Sequence, residues 1–330
     1  MARDPNSAPR QVSPISFRRI TLAVLAAQIL IVLSGAAVRL TGSGLGCSDW
    51  PRCEQDRLVA PLELHPMIEF INRCVSFVVV ATVVLAIWGA LRRVPYRRDL
   101  LDLVWWITAI TAAQIVLGGI TVRTDLWPPV VMAHFLLSMI LIWIAVTLHH
   151  RATVATREDP ASTSAVSAIS ARLNVALAWV LAAVLLTGTV VTASGPHGGD
   201  AQAERLGFYV PTVARIHAVT ALVFLAVLLV TIQAVRTKPG AHRLLRAATI
   251  TLQAVIVQGA IGYYQYLNGV PELVVFLHVA GSMAVLGTTV WFVLEHRRHE
   301  QPDEPATERG ASVDGTLDAP ADPLTPPIAP

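Results

Sequence analysis

The chain has 330 residues, of which 54% are hydrophobic and only 14% are charged, and its mean hydropathy is +0.58. This balance excludes an ordinary soluble globular protein and is typical of a chain that crosses a membrane. The formal net charge of +3 predicts no nucleic-acid partner, because the basic residues are placed as membrane sidedness requires.

Eight segments are apolar over the roughly 20 residues that a helix needs to cross a hydrocarbon core of about 30 Å. The predicted spans are 18–39, 66–91, 101–122, 129–149, 173–193, 211–235, 246–267 and 272–294. Most Lys and Arg residues fall in the two tails and in the connections after the even-numbered spans, which indicates that both termini are cytoplasmic. We therefore expect an all-α, multi-pass protein of the cell membrane, in contact with membrane lipid.

The connection after the first span carries two cysteines, Cys47 and Cys53. This connection is predicted to lie on the side opposite the termini, in an oxidising compartment, so the pair is expected to form a disulfide that closes a small loop. A metal site is less favoured, because no second pair of ligands is near. The third cysteine, Cys74, falls inside the second span and is predicted to be a small packing residue.

The second span places His65, Glu69 and Asn72 on one helical face, because they are spaced four and three residues apart. A carboxylate within a membrane is costly and indicates a function. The alternative is that Glu69 only forms an ion pair with Arg73, four residues later. The two readings are compatible with each other.

The fourth and eighth spans share a pattern at an offset of 144 residues, with His, Ser and Met in register. The matched positions are His134 with His278, Ser138 with Ser282, Met139 with Met283, Gln114 with Gln258, Gly118 with Gly262 and, at a nearby offset, Ser34-Gly35 with Thr187-Gly188. The chain therefore predicts a duplicated four-helix unit. Because each unit has an even number of helices, the two four-helix bundles are expected to be parallel repeats rather than inverted ones.

The predicted organisation has five parts. They are a cytoplasmic N-terminal tail at 1–17, a first four-helix repeat at 18–150, a cytoplasmic linker at 151–171, a second four-helix repeat at 172–298, and a cytoplasmic tail at 299–330 that is rich in Pro, Asp and Glu. Because the last part has almost no large apolar residues, it is predicted to be disordered.

Three histidines share one depth, because His134, His217 and His278 each lie six or seven residues from the outer end of a predicted span, or roughly 9–10 Å. A lone intramembrane histidine is often only a hydrogen-bonding residue between helices. Three at matched depth favour another role, since facing imidazoles can hold a haem iron from both sides. His217 and His278 would form a complete axial pair in the second half, whereas Asn72 takes the position of His217 in the first half.

Together these residues resemble the haem A synthase family over about 18–296 of the chain. The most specific part runs from Gly35 to Cys53 and contains Thr-Gly-Ser-Gly-x-Gly-Cys and Trp-Pro-x-Cys. The other matching pieces are Ile68-Glu69-Phe70, Asn72-Arg73, Gln114 to Thr121, the His134 segment, and the helices of His217 and His278. The order and spacing of these pieces carry the resemblance more than any single one.

The resemblance implies an oxidoreductase acting on a CH3 group, which converts the C8 methyl group of haem O to a formyl group and gives haem A for terminal oxidase assembly. It implies a haem b cofactor in the second half, with His217 and His278 as iron ligands, and oxidation of haem O in the first half. There Glu69 would be the catalytic residue. The residues implied at the substrate haem are His134, also a metal-binding position, with Asn72, Arg73 and His65.

The family's outer disulfide matches Cys47 and Cys53. The partners that the resemblance implies are haem O as substrate, with haem O synthase and oxidase assembly factors as candidates, and a homo-oligomer stays open.

One departure from the family pattern matters most: Asn72 stands where the family usually has a histidine, and an amide is a poor iron ligand. Either His134 alone holds the substrate haem, or His65 ligates its other side. A cysteine pair found in the second half of some relatives is also missing from this sequence.

Two other classes of protein fit the same pattern of helices, a membrane haem-binding electron-transfer protein and a haem carrier. Electron transfer across the bilayer would need haems at two depths, whereas the candidate ligands share one depth. This objection does not apply to a protein that reduces a quinone near one face of the membrane. A carrier would not need a carboxylate such as Glu69 beside only one of its two sites. The asymmetry therefore favours an enzyme.

Overall fold

The computed structural model describes residues 11–54, 59–154, 168–236 and 241–300. These residues form eight α-helices and no β-sheet, and each helix is long and apolar enough to cross a membrane. The helices are α1 (Pro14–Leu40), α2 (Leu64–Arg92), α3 (Arg98–Arg123), α4 (Pro128–Val154), α5 (Ala168–Ser194), α6 (Val210–Val235), α7 (His242–Leu267) and α8 (Glu272–Glu300). Large apolar side chains such as Phe77 and Trp106 are exposed on them, as expected of surfaces that face lipid. The prediction of an all-α, multi-pass membrane protein is confirmed.

Each predicted span lies within a helix, and the helices extend a few residues beyond it. The first helix begins at Pro14 rather than at 18, because the Ser13 hydroxyl accepts a hydrogen bond from the Ser16 N–H at 3.2 Å and proline fits the first turn. Continuing a helix past the apolar core is favourable, because the helix satisfies its own backbone hydrogen bonds.

The connection between the halves is shorter than the predicted linker at 151–171. The fourth helix continues to Val154 and the fifth begins at Ala168, which leaves 155–167 between them. The central part of that predicted linker lies outside the described residues, as do 1–10 of the predicted N-terminal tail and 301–330 of the predicted C-terminal tail.

The helices pack as two four-helix units. In the first, α1 contacts α2 and α4, and α3 contacts α2 and α4; in the second, α5 to α8 make the same set of contacts. The units meet where α8 packs against α1 and α4, and where α4 packs against α5. This arrangement is the one that the internal repeat predicts.

The connections α1–α2, α3–α4, α5–α6 and α7–α8 meet at one end of the bundle, which we call the disulfide end because the first of them contains the Cys47–Cys53 disulfide. Two hydrogen bonds join the units there. The Gly44 N–H donates to the Gly199 carbonyl at 2.8 Å, and the Arg39 guanidinium donates to the Thr192 carbonyl at 2.8 Å.

The apolar core lies toward the opposite end of the bundle. In the first unit it is built from residues such as Phe17, Leu100 and Leu148, and in the second from residues such as Leu228 and Phe292, all of which are fully buried. Each of these lies in the half of its helix farther from the disulfide end. The polar side chains singled out in the sequence therefore lie between this core and the disulfide end.

Candidate functional site

The two histidines of the second unit face each other inside the bundle. His217 on α6 and His278 on α8 have ring centroids 6.4 Å apart, with their planes inclined at 79°. A metal–imidazole bond is about 2.0–2.1 Å long, so two such bonds plus the distances from the nitrogens to their ring centres span roughly 6 Å. The predicted pair is brought together at a separation that one iron atom between the rings would require.

Each of these imidazoles has a polar partner at Nδ1. The Thr187 hydroxyl on α5 lies 3.2 Å from Nδ1 of His217, and the Gln258 amide nitrogen on α7 lies 3.0 Å from Nδ1 of His278. Gln258 also donates to the His278 carbonyl at 2.8 Å, which ties α7 to α8. A metal-binding histidine is usually held through the ring nitrogen that does not bind the metal. These contacts orient both rings. The Thr187 hydroxyl can accept from an Nδ1–H of His217 and so leave Nε2 of that ring for a metal, whereas the Gln258 amide nitrogen can only donate to Nδ1 of His278.

Two glycines allow the rings to lie directly against neighbouring helices. A Cβ atom at Gly188 would lie 3.0 Å from Cε1 of His217, and one at Gly262 would lie 2.9 Å from Cε1 of His278. Both distances are shorter than ordinary carbon–carbon contacts of about 3.5–4.0 Å. Each imidazole of the second unit is thus held between a glycine backbone and a polar side chain.

The first unit repeats this framework, with Asn72 in place of His217 and Ser34 in place of Thr187. The Gln114 amide on α3 donates to the His134 carbonyl at 3.0 Å, as Gln258 does to His278. The Ser34 hydroxyl on α1 donates to Oδ1 of Asn72 at 2.6 Å, in the place where Thr187 contacts His217. Asn72 therefore occupies the position of His217 in the structure, as the repeat predicts.

The first unit holds its imidazole more loosely than the second. Gln114 donates its second hydrogen bond to the Ser138 hydroxyl at 2.6 Å rather than to the ring, and Nδ1 of His134 is buried with no hydrogen-bond partner among the described residues. A Cβ atom at Gly118 would lie 3.5 Å from Cε1 of His134, an ordinary contact. The ring of His134 has neither of the close neighbours that fix His278.

Glu69 is buried, with 4% of its surface exposed, and both of its carboxylate oxygens accept hydrogen bonds. Oε2 accepts from the Cys47 N–H at 2.8 Å, and Oε1 accepts from the Arg73 guanidinium at 2.5 and 3.1 Å. The ion pair that the sequence offered as an alternative role for Glu69 is present. It lies about one helical turn from Asn72.

Arg73 extends this network to the disulfide loop, which we define as residues 41–54. Its Nη1 donates to the carbonyls of Asp49 and Arg52 at 2.9 and 2.8 Å. The Cys47–Cys53 disulfide, with an S–S distance of 2.06 Å, is buried in this loop. The predicted disulfide is confirmed, and the Arg73 guanidinium bonds to both the loop and Glu69.

The disulfide loop also attaches to α3. The indole ring of Trp50 lies against Gly119, where a Cβ atom would come within 2.7 Å of the ring, and the Arg123 guanidinium donates to the Trp50 carbonyl at 3.1 Å. The loop thus covers the disulfide end of the first unit and is held to α2 and α3. From the sequence, Trp50 and Gly119 were identified only as parts of matching motifs, and Arg123 was not identified. Their mutual contacts were not predicted, because contacts between a loop and a helix surface leave no periodic pattern.

His65 lies with the disulfide loop and not with Asn72. Its side chain is exposed, and Nδ1 lies 2.9 Å from the Ser43 hydroxyl. It precedes Asn72 by seven residues, or about 10 Å along the helix. Cys74, predicted to be a packing residue, is exposed instead, because it lies five residues and roughly 140° around the helix from buried Glu69.

The described residues contain no group of three or more His, Cys, Asp or Glu side chains that could hold a metal ion alone. Two facing imidazoles supply two ligands, which suits an iron atom whose other ligands come from a porphyrin. The chemistry of the donor set therefore fits a haem in the second unit.

Comparison with known proteins gives several partial matches. A family model described as cytochrome oxidase assembly protein matches residues 18–65. The haem A synthase of Geobacillus thermodenitrificans is 32% identical over 145 residues, covering 40% of this chain and 45% of that protein. That of Shewanella oneidensis is 29% identical over 188 residues, covering 52% and 54%. A protoheme IX farnesyltransferase of Thermus thermophilus is 37% identical over 73 residues, covering 22% and 12%. The chain thus spans about half the length of these haem A synthases.

Proposed function

We propose that this protein is a haem A synthase, an oxidoreductase that converts the C8 methyl group of haem O to the formyl group of haem A for terminal oxidase assembly. One observation carries the proposal: the two units share a framework but differ at its centre. The second unit has a facing pair of imidazoles, whereas the first has Asn72 at the position of one of them and a buried carboxylate, Glu69, one helical turn away. The partial similarity to haem A synthases supports the reaction.

The second unit is the cofactor half in this proposal, and it holds haem b through His217 and His278. When bound, this haem supplies electron-transfer chemistry. The chain's own contribution is to orient the two rings, because Thr187 and Gln258 reach their Nδ1 atoms and Gly188 and Gly262 leave room for them. Because both rings are held in place, the iron would keep the same two histidine ligands in its oxidised and reduced forms, and the protein would rearrange little when an electron is transferred.

The first unit is the catalytic half, which binds haem O with His134. Glu69 contributes a buried carboxylate near Asn72, paired with Arg73. Because both of its oxygens already accept hydrogen bonds, stabilisation of developing positive charge is favoured over proton uptake as its role. The disulfide loop, held by Glu69 and Arg73, covers this pocket and limits access from the disulfide end.

The proposed location is the cell membrane, with both termini in the cytoplasm and the disulfide end on the oxidising side. The distribution of Lys and Arg and the Cys47–Cys53 disulfide both support this orientation. The proposed partners belong to the same biosynthetic route: an enzyme that makes haem O, and the factors that assemble terminal oxidases. The local similarity to a protoheme IX farnesyltransferase supports the first of them.

The decisive experiment is to co-express the full chain with a source of haem O and to identify the extracted pigments by mass. Haem A should appear with the parent chain and be absent with an empty vector. Accumulation of bound haem O without any formyl product would instead indicate a haem carrier. A protein that binds haem b alone and is reduced and reoxidised by a quinone would indicate an electron-transfer protein.

A further inference from the structure

We propose that the haem bound in the first unit has one protein ligand, His134, and an open axial position on the side of Asn72, where a diatomic ligand such as dioxygen or carbon monoxide binds. This inference deepens the proposed function, on which it rests. It assigns a ligand site to the face of the pocket where the second unit has His217, and we call this face the Asn72 face.

The first step is that Asn72 replaces an iron ligand. Its Oδ1 accepts the 2.6 Å hydrogen bond from Ser34, and a Cβ atom at Gly35 would lie 3.9 Å from the same oxygen. In the second unit, Thr187 and Gly188 lie at the corresponding positions beside the imidazole of His217, where a Cβ atom at Gly188 would come as close as 3.0 Å. The backbone positions correspond, so the difference between the two pockets at this point is the side chain itself.

The second step is that the amide does not take over the ligand role. Iron in proteins is suited by imidazole, whereas amide and carbonyl oxygens suit harder cations. The amide oxygen of Asn72 is also already engaged by Ser34. What remains is the amide N–H2, a hydrogen-bond donor. A donor beside an open axial position is the feature by which a haem pocket favours binding of dioxygen.

The third step is that the other candidate ligands on α2 do not take the place of the missing histidine. His65 lies about two helical turns away, beside Ser43 of the disulfide loop. Glu69 and Arg73 are engaged with each other and with the disulfide loop. Cys74 is exposed away from the buried side of α2. Of the two possibilities left open by the sequence, the structure favours His134 as the only protein ligand.

The test uses the purified full chain loaded with haem b alone or with haem b and haem O, reduced with dithionite and exposed to carbon monoxide. We expect carbon monoxide to bind about half of the haem in the doubly loaded protein and less than about a tenth in the singly loaded protein, because an iron with two imidazole ligands excludes it. Pigment extraction gives the haem content of each sample.

Two reciprocal variants provide matched controls. Asn72→His should abolish carbon monoxide binding in the first unit and give a second low-spin spectrum. His217→Asn should create carbon monoxide binding in the second unit. A third variant, Asn72→Ala, should retain the open position but release carbon monoxide faster, because the amide donor is lost. The unchanged haem b spectrum of the two Asn72 variants shows that they are folded.

The outcomes separate this inference from the proposed function. Haem A formation by a doubly loaded protein that binds no carbon monoxide overturns the open axial position alone. Carbon monoxide binding that appears only in His65→Ala identifies His65 as the second ligand and also overturns it. Carbon monoxide binding at the first unit without any haem A formation supports the open position and overturns the proposed function. Failure to bind haem O at all overturns both.

Discussion

The two units of the bundle share a framework of glycine, glutamine and hydroxyl side chains but differ in how closely it holds the residue at its centre. In the second unit, Gly262 and Gln258 both lie against the ring of His278. In the first, the corresponding glycine is farther from His134, and the glutamine amide bonds to Ser138 instead. Under the proposed function, the tight contacts of the second unit suit a cofactor that stays bound, and the looser contacts of the first unit suit a substrate that enters and leaves.

The largest expected effect concerns the facing pair of the second unit. His217→Ala and His278→Ala should each remove nearly all of the low-spin b-type absorption, because one imidazole does not maintain a six-coordinate haem. The measurement is the absorption spectrum of the purified protein. His197→Ala is the matched control, since that histidine bonds to the Val270 carbonyl in a loop. If both pair variants keep a full haem b spectrum, the assignment of the axial pair is wrong.

The next effect concerns the carboxylate present in the first unit only. Glu69→Gln should retain the haem b of the second unit and lower haem A formation by about 10²-fold or more, within the range attributed to a positioned charged or acid–base group. Glu69→Asp should be partly active. The measurement is the yield of haem A per unit of protein in the membrane. Formation of haem A by Glu69→Gln at the parent rate would leave the pairing with Arg73 as the better account of this residue.

Arg73→Gln separates the charge of Glu69 from its role in holding the disulfide loop. This variant breaks the bonds from Nη1 to Asp49 and Arg52 while keeping the carboxylate. If Glu69 acts by its charge, Glu69→Gln should lower haem A formation more than Arg73→Gln does. Equal losses in the two variants, together with equally faster reduction of the Cys47–Cys53 disulfide, would show that loop attachment is the whole effect.

A smaller effect should distinguish two corresponding glycines. Gly262→Ala places a Cβ atom 2.9 Å from His278 and should cost about 1–3 kcal/mol through overpacking. We therefore expect a lower ratio of haem b to protein and a shifted reduction potential. Gly118→Ala is the matched substitution, with a distance of 3.5 Å to His134, and should leave both quantities nearly unchanged. Equal behaviour of the two variants would contradict the proposed difference in tightness.

Removing the Cys47–Cys53 disulfide is expected to have the smallest effect on the second unit. In freshly isolated, unreduced membranes, Cys47 and Cys53 should resist alkylation, and both should react after reduction. Replacing both with Ser should destabilise the loop by about 2–3 kcal/mol, lower haem A formation and leave the haem b spectrum intact. Free alkylation of both thiols before reduction would count against a stable bridge. Loss of haem b in the double variant would show that the loop also supports the second unit.

Sequence reasoning was most successful where a property repeats along the chain. Eight apolar stretches predict eight helices, and the offset of 144 residues between His134 and His278 predicts corresponding positions in the two units. The equivalence of Asn72 in the first unit and His217 in the second was predicted from the same repeat. The contacts of Ser34 with Asn72 and of Thr187 with His217 confirm that these positions correspond. Periodicity and duplication are visible in one dimension, so these features could be predicted.

Features that depend on side-chain direction could not be predicted in this way. Gln114 and Gln258 are matched in the sequence, yet only Gln258 contacts an imidazole, because the hydroxyl of Ser138 accepts the corresponding bond in the first unit. The position of Trp50 against Gly119 depends on the path of the disulfide loop. Cys74 was assigned to the interior from its place in an apolar span, although the helical rotation from Glu69 places it on the surface.

The interface between the units has a symmetry of its own. Exchanging the two units turns the contact of α1 with α8 into that of α5 with α4, and leaves the contact of α4 with α8 unchanged. Such an interface is isologous, so two separate copies of one four-helix unit could assemble through it as a twofold homodimer. In that homodimer each substitution would occur twice, and an asparagine at the position of Asn72 would remove both axial pairs together. Covalent fusion of the units is therefore what permits one pocket to lose its histidine while the other keeps it.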